Sequence, residues 1–433
     1  MIFRIFKPLI TVIVVCILAI YVLPLSVSAT NQGTLNSSGM SDIPTVESLH
    51  LNVKSAILIE QTTGDVLLSI NADQGFAPAS MVKMMTEYIV AKKVRTGELS
   101  WDDIVTVSDH ASKSVGTRAF LAEGDQHTVK ELYTAMAVGS ANDAAIALSE
   151  HVSGTEQNFV TLMNEEAKRM ELTKTHFINA TGLSRADMPE GFRPDEMGET
   201  LMSAKDVATL AKNLIQDEPD YADVTSIPFY KMRKSDKDPI VNSNRMLETN
   251  KAIPSYAYEG LDGLKTGYTK SAGYCFTGTA ERNGMRLISV VMGTPSMGSR
   301  FEETAKVLDY GFNHFTMNQV IPAGSLVTGM ETSPVKGGKE KNVQIVTKDD
   351  VYFILPKSDV STQPIATVNL VPGGLAAPVV AGTKAGTATF TYVVKGQSVV
   401  QLRTVDLITE RTVEKENWFM LLLRSIGGFF SAD

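Results

Sequence analysis

Residues 260–293 of this chain read GLDGLKTGYTKSAGYCFTGTAERNGMRLISVVMG, and they constrain its architecture more than any other segment. Two runs suited to β-strands, 272–281 and 285–292, are separated by Asn283-Gly284. Asn-Gly between two such runs is the strongest short-range signal for a β-hairpin. The sequence therefore predicts an antiparallel hairpin, and Lys265-Thr266-Gly267 lies at the start of the strand that leads into it.

The segments on either side of this hairpin predict an α/β sandwich. Two strands are predicted over 56–59 and 66–70, with a turn at Gly64, and a long helical block follows them. After the hairpin, a closing helix is predicted over 300–315. Strands from both ends of a domain that flank a helical middle predict one sandwich, with a groove between sheet and helices. The predicted limits of this domain are residues 46–315.

The sequence pattern changes after Phe315. Short alternating runs follow at 343–346, 351–355, 365–370 and 387–394, with turns at Gly373-Gly374 and Lys395-Gly396. This pattern predicts a small all-β domain over residues 316–410, without a catalytic motif.

The last segment, 411–433, contains an apolar helical face. Its members are Trp418, Phe419, Leu422, Leu423, Ile426, Phe429 and Phe430, with Asn417, Arg424 and Ser425 on the opposite side. Such a helix is typical of an amphipathic anchor that lies in the plane of a membrane surface. Periodicity is equally compatible with a helix packed on the β-domain, so both interpretations stay open.

Residues 1–29 have the features of a signal peptide. Arg4 and Lys7 precede an apolar core over 9–23, and Val27-Ser28-Ala29 predicts cleavage after Ala29. The core is shorter than the roughly 20 residues that span a bilayer, and an uncleaved N-terminal anchor is the alternative. Residues 30–45 are predicted to form a polar, flexible mature N-terminus.

The composition excludes some classes of function. The chain has 433 residues, with 40 Lys and Arg against 48 Asp and Glu, and a formal net charge of −8. A nucleic-acid-binding protein needs a basic face, so no nucleic-acid partner is expected. The length favours two domains with appended segments.

Three short segments together contain the residue types of an acyl-transfer site: Ser80-Met-Val-Lys83, Ser140-Ala-Asn142 and Lys265-Thr266-Gly267. A serine hydroxyl is a weak nucleophile unless a base removes its proton. A lysine three residues away shares a helix face with it, and burial or a nearby cation lowers the pKa of such a lysine. A helix is therefore predicted to begin at Ser80, and Ser140 to lie on a tight loop between helices.

This motif set resembles that of the penicillin-recognising serine acyl-enzymes. The surrounding sequence is similar to the low-molecular-mass D-alanyl-D-alanine carboxypeptidases of Gram-positive bacteria from about Ser55 to the C-terminus. The similarity is carried by APASMVKMMTEYIV, TVKELYTAMAVGSANDAA, HFINATGL and residues 260–293. It implies removal of the terminal D-alanine from peptidoglycan stem peptides that end in D-Ala-D-Ala, which limits cross-linking.

The resemblance also implies partners and a location. β-Lactam antibiotics are expected to bind covalently, and the C-terminal helix to attach the protein to the outer face of the cytoplasmic membrane, beside the cell wall. Neither a metal nor an organic cofactor is required by such a site.

The resemblance assigns catalytic roles to four residues. Ser80 is the nucleophile and Lys83 its general base. Ser140 relays a proton toward the leaving group, and the amide of Asn142 holds a substrate backbone group. The backbone amide of Ser80, near a helix N-terminus, is one donor to the oxyanion of the tetrahedral intermediate.

Five further residues are implied to bind substrate. Lys265 supplies positive charge beside Ser140 and disfavours protonation of Lys83. Thr266 donates to the terminal carboxylate, and Gly267 precedes Tyr268, whose amide is the second oxyanion donor. Arg300 pairs with the same carboxylate through its planar guanidinium. The alternative for Arg300 is an ordinary exposed arginine.

Rival chemistries have weaker support in the sequence. No E-x-x-L-N segment is present that would hold a hydrolytic water, and Glu165, Glu166 and Glu199 are interpreted as solvated helix charges. Penicillin is therefore expected to be bound rather than destroyed. Cys275 has no partner histidine in a suitable pattern, and the six histidines form no H-E-x-x-H pair of a zinc peptidase.

Two alternatives remain open. The first is an enzyme that uses the same site for D,D-endopeptidase or transpeptidase chemistry. The second is a wall-binding scaffold protein with the same fold and without catalysis.

Overall fold

The computed structural model describes residues 43–250, 254–358, 364–393 and 400–429. The predicted signal peptide, its cleavage site and most of the segment 30–45 lie outside the described residues. The same is true of Lys395-Gly396 and Phe430, and those predictions stay predictions.

A five-stranded antiparallel sheet forms the centre of the first domain, in the order β2-β1-β11-β10-β9. The strands up to residue 294 are β1 (Ser55–Glu60), β2 (Val66–Ile70), β3 (Gly75–Phe76), β4 (Ile104–Thr106), β5 (Gln126–Thr128), β6 (Met202–Ser203), β7 (Phe229–Tyr230), β8 (Ile240–Val241), β9 (Leu261–Thr269), β10 (Gly273–Arg282) and β11 (Met285–Thr294). The central sheet thus combines strands from both ends of the domain, as predicted.

Helices occupy the middle of the domain and its end. They are α1 (Lys83–Arg95), α2 (Asp109–Ser112), α3 (Val129–Gly139), α4 (Asn142–Ser153), α5 (Glu156–Arg169), α6 (Ala204–Asp217), α7 (Ala222–Thr225) and α8 (Met297–His314). Short 3-10 helices cover Val46–Leu49, Ala79–Val82, Arg185–Asp187, Glu190–Phe192, Pro219–Tyr221 and Pro254–Tyr256.

Strand β1 is buried on both faces, and its alternating side chains enter two separate cores. Ile57 and Ile59 pack with side chains of α1, α5 and α6. Ala56 and Leu58 pack with α8 on the other face of the sheet. A third core lies among α1, α3 and α4, away from the sheet. The arrangement confirms the predicted sandwich of sheet and helices.

The turn between β10 and β11 has the geometry that its sequence requires. Asn283 and Gly284 both have positive φ angles, 51° and 76°, as a type I′ turn demands. Arg282 and Met285 pair directly across it. The hairpin predicted from Asn283-Gly284 is confirmed.

The second domain is all-β, as predicted. Its strands are β12 (Phe315–Ile321), β13 (Thr332–Lys336), β14 (Asn342–Thr347), β15 (Val351–Pro356), β16 (Ile365–Leu370), β17 (Leu375–Ala376), β18 (Lys384–Val393) and β19 (Val400–Thr409). A six-stranded sheet has the order β16-β18-β19-β14-β13-β17, and β12 pairs with β15. Phe353, Tyr392 and Leu407 form part of its core, which joins β15 to β18 and β19.

The two domains contact each other through both apolar and charged groups. Ile354 of β15 belongs to the core beneath α8, and Lys357 Nζ donates to Phe312 O at 2.8 Å. Arg403 of β19 pairs with Asp65, which lies between β1 and β2. The β-domain is therefore attached to the edge of the sheet and to α8.

The segment 411–416 pairs with the β-domain. Val413 is buried, and its amide and carbonyl exchange hydrogen bonds of 2.8 and 2.9 Å with Val379. Glu416 N donates to Gly337 O at 2.9 Å. The chain leaves the β-domain only after this residue.

A final helix, α9 (Trp418–Phe429), follows. Asn417 Oδ1 caps it by accepting from Met420 N at 2.8 Å. The apolar side chains described on this helix are largely exposed, with Trp418 at 76% and Leu422 at 49%. Among the described residues, no helix has the length and apolar character needed to cross a membrane.

We predict that Leu58→Ala destabilises the protein by about 2–5 kcal/mol, because Leu58 is fully buried between the sheet and α8. The free energy of unfolding in urea measures this loss. Val66→Ala on the neighbouring strand is the matched control, since Val66 is 52% exposed. Equal losses for the two variants would contradict the assignment of Leu58 to the core.

Candidate active site

Ser80 lies in a tight turn rather than at the first position of an α-helix. The 3-10 helix Ala79–Val82 precedes α1, which begins at Lys83. Ala79 has a φ of 49°, an uncommon value for a residue with a side chain. The prediction of a helix start at Ser80 is correct to within this turn. Across the turn, Lys83 Nζ lies 3.1 Å from Ser80 Oγ.

Lys83 is completely buried, yet its nitrogen has polar partners from two other segments. It donates to Asn142 Oδ1 and to Thr181 O, each at 2.7 Å. Sequence reasoning identified Asn142 but missed Thr181. The only signal for Thr181 was the segment HFINATGL, to which no chemical role was attached.

Burial lowers the pKa of Lys83 well below its ordinary value, and the charge of Lys265 lowers it further. The carboxylates of Glu87, Asp143 and Glu156 act in the opposite direction. Lys265 thus lowers the pKa of Lys83, as predicted, but the burial of Lys83 lowers it more. A lysine whose pKa is lowered in this way holds its proton less tightly and is a better base.

The second motif occupies the connection between α3 and α4. Ser140 adopts a left-handed backbone, with φ 60° and ψ 31°, and Asn142 is the first residue of α4. Ser140 Oγ is buried and has no hydrogen-bond partner among the described residues. The tight loop predicted between these helices is confirmed.

Hydrogen bonds at both the oxygen and the nitrogen of its side-chain amide hold Asn142 in place. Oδ1 accepts from Lys83, and Nδ2 donates to Val115 O at 2.6 Å. The adjacent Asp143 is buried and accepts from the amides of Ala119 and Leu121 at 2.9 and 3.1 Å. These bonds hold the loop 115–121 against the second motif. One N–H of the Asn142 amide remains for another acceptor.

The third motif lies on β9, which packs against the turn that carries Ser80. A Cβ atom on Gly267 would be 2.6 Å from Pro78 O and 3.3 Å from Ser80 N, so only glycine allows this approach. Lys265 is buried, and this burial lowers its pKa to about 8. Thr266 Oγ1 lies 2.6 Å from Ser243 Oγ.

Tyr268 lies at the end of β9, and Arg300 lies on α8 beside it. The Tyr268 ring is half exposed and stacks on Tyr274, with ring centroids 4.2 Å apart. Arg300 lies on α8, is 6% exposed and donates to Gly267 O at 3.4 Å. Burial lowers its pKa to about 10. The alternative of an ordinary exposed arginine is therefore wrong.

The backbone at Gly182 also approaches the turn that carries Ser80 closely. Sequence reasoning assigned Gly182 no role. Its φ is 80°, and an added Cβ would lie 2.0 Å from Ala79 O and 3.1 Å from Ser80 N. The carbonyl of the preceding residue, Thr181, is the acceptor for Lys83. The segment 181–182 thus positions both members of the Ser80–Lys83 pair.

The rival groups are placed elsewhere or are unreactive. Cys275 is buried, and this burial raises the pKa of its thiol to about 11, so it is a poor nucleophile. Glu166 is not a solvated charge, because it is buried and pairs with Lys92 and Arg169 at 2.6 Å. In the part of the chain that the structure describes, no three His, Cys, Asp or Glu side chains are grouped to hold a metal.

The arrangement has the geometry of a nucleophile with a desolvated base, beside buried cations. Ser80 and Lys83 are in contact, while Lys265 and Arg300 are the buried cations of β9 and α8. Such a site suits attack on a carbonyl carbon next to an anionic group.

Two family models match this chain. The first, described as D-alanyl-D-alanine carboxypeptidase, matches residues 42–296. The second, described as the C-terminal domain of penicillin-binding protein 5, matches residues 315–415.

Curated proteins and solved structures are similar over most of the chain. D-alanyl-D-alanine carboxypeptidase DacF of Bacillus subtilis is 32% identical, over 86% of this chain and 89% of that protein. A peptidoglycan synthesis regulatory factor (PBP3) from Streptococcus pneumoniae has a TM-score of 0.73 and 30% identity, and the match covers 84% of this chain and all of that one. Penicillin-binding protein D2 from Listeria monocytogenes, in its ampicillin-bound form, has a TM-score of 0.50 and 33% identity, over 62% and 100% of the two chains.

We predict that Gly182→Ala slows the covalent labelling of Ser80 by a fluorescent penicillin about 100-fold, because the new methyl group displaces the turn at Ala79. The second-order labelling rate constant measures the effect. Gly154→Ala is the matched control: its φ is 79°, and its Cβ would have nothing within 4 Å. Equal rates for the two variants would show that the close approach is not needed.

Proposed function

Because the chain belongs to the D-alanyl-D-alanine carboxypeptidase family, we propose that its groove removes the terminal D-alanine from peptidoglycan stem peptides through an acyl-enzyme on Ser80. The enzyme is a serine-type hydrolase. The observation that carries the proposal is the contact between Ser80 Oγ and the buried Lys83 nitrogen.

The bonds to Lys83 support its role as the general base. A neutral amine has two N–H groups and one lone pair. Asn142 Oδ1 and Thr181 O accept two hydrogen bonds at 2.7 Å, which uses both N–H groups. The lone pair is then left for the hydroxyl of Ser80, 3.1 Å away. Lys83 is therefore arranged to take the proton as Ser80 attacks.

In the proposed acylation step, Ser80 Oγ bonds to the carbonyl carbon of the penultimate D-alanine. The peptide C–N bond breaks, and the proton from Ser80 passes through Lys83 and Ser140 to the leaving amine. The amides of Ser80 and Tyr268 stabilise the oxyanion, which fits the close packing of Gly267 on Ser80 N. Water then hydrolyses the ester and regenerates Ser80.

Three residues are proposed to recognise the terminal carboxylate of the substrate. Arg300 is a buried cation beside Gly267 O, and Lys265 is a second buried cation on the same strand. The hydroxyl of Thr266 completes the set. Charges that are already desolvated attract an anion more strongly than exposed ones, so this pair favours a free C-terminus over an internal peptide. Asn142 has one N–H left for a backbone carbonyl of the substrate.

β-Lactams are proposed to acylate Ser80 and to leave slowly. The related Listeria monocytogenes protein has been solved in an ampicillin-bound form. Three glutamates were considered as hydrolytic residues. Glu165 is an exposed residue of α5, Glu166 pairs with Lys92 and Arg169, and Glu199 accepts a hydrogen bond from the amide of Arg185. The intact serine and lysines argue against a catalytically silent scaffold.

Attachment of α9 to the outer face of the cytoplasmic membrane is also proposed. Its described apolar side chains are exposed rather than packed on the β-domain, and Trp418 and Phe419 are among the most exposed. Exposed aromatic and aliphatic groups on a short helix are typical of interfacial anchors. The predicted signal peptide agrees with an exported protein.

We predict that the wild-type mature protein is labelled stoichiometrically by a fluorescent penicillin and releases D-alanine from a peptide ending in D-Ala-D-Ala. Ser80→Ala is expected to lose both activities, because the bond-forming oxygen is gone. Ser149→Ala, a buried serine of α4, is the control that retains both. Labelling that survives in Ser80→Ala, or rapid hydrolysis of the penicillin by the wild type, would contradict the proposal.

We predict that a chain ending at Glu416 loses binding to phospholipid vesicles, because α9 is removed. This endpoint keeps the pairing of Val413 with Val379, which an endpoint at Glu410 would remove. Co-sedimentation of chains that start at Thr30 measures binding. Ile365→Asp, at a 70% exposed apolar position of the β-domain, is expected to bind as the wild type does. Vesicle binding by the shortened chain would overturn the anchor.

A further inference from the structure

A buried carboxyl group lies one helical turn beyond the catalytic lysine. Glu87 is on α1, four residues after Lys83, so both side chains share a helix face. It is 1% exposed, and its Oε1 is buried without a hydrogen-bond partner among the described residues. A buried carboxylate without such a partner is costly, and its presence needs an explanation.

The explanation lies in the charges around it. Burial raises the pKa of Glu87 to about 7, while the cations of Lys265 and Lys83 lower it. In return, the Glu87 carboxylate raises the pKa of both lysines. The other titratable groups that act on this cluster lie on four further elements: Tyr133 on α3, Asp143 on α4, Glu156 on α5 and Arg300 on α8.

The two lysines respond to Glu87 unequally. For Lys265, Glu87 is the charge with the largest effect, and it exceeds the opposing effect of Arg300. For Lys83, the cation of Lys265 has a larger effect than Glu87. Lys265 also lowers the pKa of Glu87 more than Lys83 does, so the Glu87 carboxylate interacts more strongly with Lys265. Its negative charge therefore favours a proton on Lys265, and that proton in turn disfavours one on Lys83.

We propose that Glu87 is a positioning residue that keeps the proton of the buried lysine pair on Lys265, so that Lys83 is the free amine. This inference rests on the proposed roles of Lys83 as base and Lys265 as substrate-binding cation. Glu87 does not touch the substrate. Its negative charge compensates the positive charge of Lys265 through space. Water is excluded there, so charge interactions are strong.

The charge of Glu87 has a consequence for the pH dependence of acylation. The rate falls as pH rises through the pKa of Lys265, because the substrate-binding cation is lost. Without the charge of Glu87, that pKa drops, and the basic limb of the profile moves to lower pH. A carboxyl group that served only in packing would change stability and leave the limb in place.

The test is the pH profile of the second-order labelling rate with fluorescent penicillin, for the wild type and Glu87→Gln. We expect the basic limb of the variant to move down by about one pH unit. Glu87→Asp, which keeps the charge, is expected to restore the wild-type limb. Should Glu87→Gln fail to fold, Glu87→Met replaces it, with the same expected shift.

Glu303→Gln is the matched control. Glu303 of α8 is also buried with an unpartnered Oε2, but it is not among the charges that shift the pKa of Lys83 or Lys265. The basic limb of the pH profile of Glu303→Gln is expected to coincide with that of the wild type.

The inference is overturned if the basic limb of folded Glu87→Gln stays at the wild-type pH or moves to higher pH. It is also overturned if the basic limb of Glu87→Asp moves to lower pH by as much as that of Glu87→Gln. Failure of the proposed function looks different, because the wild type itself would then not be labelled at any pH.

Discussion

The chemistry of this chain depends on one amine, that of Lys83, being kept out of water. Its nitrogen is completely buried where α1, the start of α4 and the segment 181–182 meet. Taking an ammonium ion out of water costs several kcal/mol, so the protein favours the neutral amine there. Two acceptors then occupy its N–H groups, and the serine hydroxyl is left beside its lone pair. The packing of the domain is what maintains this desolvation.

The sandwich architecture brings these segments together. Strand β1 supplies side chains to cores on both faces of the sheet, so the sheet holds the helices with α1 on one side and α8 on the other. The helix α1 places Lys83, and α8 places Arg300 at the end of β9. Gly182 and Gly267 let two separate backbones approach the Ser80 turn from different directions. Ser80 is thus fixed by contacts with both layers of the fold.

The charge arrangement of the site follows from the same burial. Lys83, Lys265 and Arg300 are all buried, and burial lowers the pKa of each. The cations of Lys265 and Arg300 attract an anionic substrate terminus, but they repel each other, and Lys265 also disfavours a proton on Lys83. Glu87, one helical turn after Lys83, offsets part of this repulsion, and it has no hydrogen bond to Ser80 among the described residues. A single carboxyl group therefore reconciles a neutral base with a charged binding residue.

Local patterns in the sequence were sufficient for the architecture. The Asn283-Gly284 turn, the three-residue spacing of Ser80 and Lys83, and the loop at Ser140 depend on backbone sterics and periodicity within a few residues. The alternating runs after Phe315 predicted the all-β domain for the same reason. The similarity of the motifs to a known enzyme family identified the candidate site residues. These features could be deduced before any tertiary contact was known.

The tertiary structure alone decided the rest. The bond from Lys83 to Thr181 O joins residues 98 positions apart, and the contacts of Gly182 and Gly267 with the Ser80 turn join segments that are even farther apart in sequence. The burial of Arg300 and the ion pairs of Glu166 could not be deduced from their neighbours in sequence. Glu87 had a sequence signal, a carboxylate four residues after Lys83, but its electrostatic partner Lys265 lies on a remote strand. Desolvation and close approach arise only when distant segments pack together, and these two effects determine how the site residues behave.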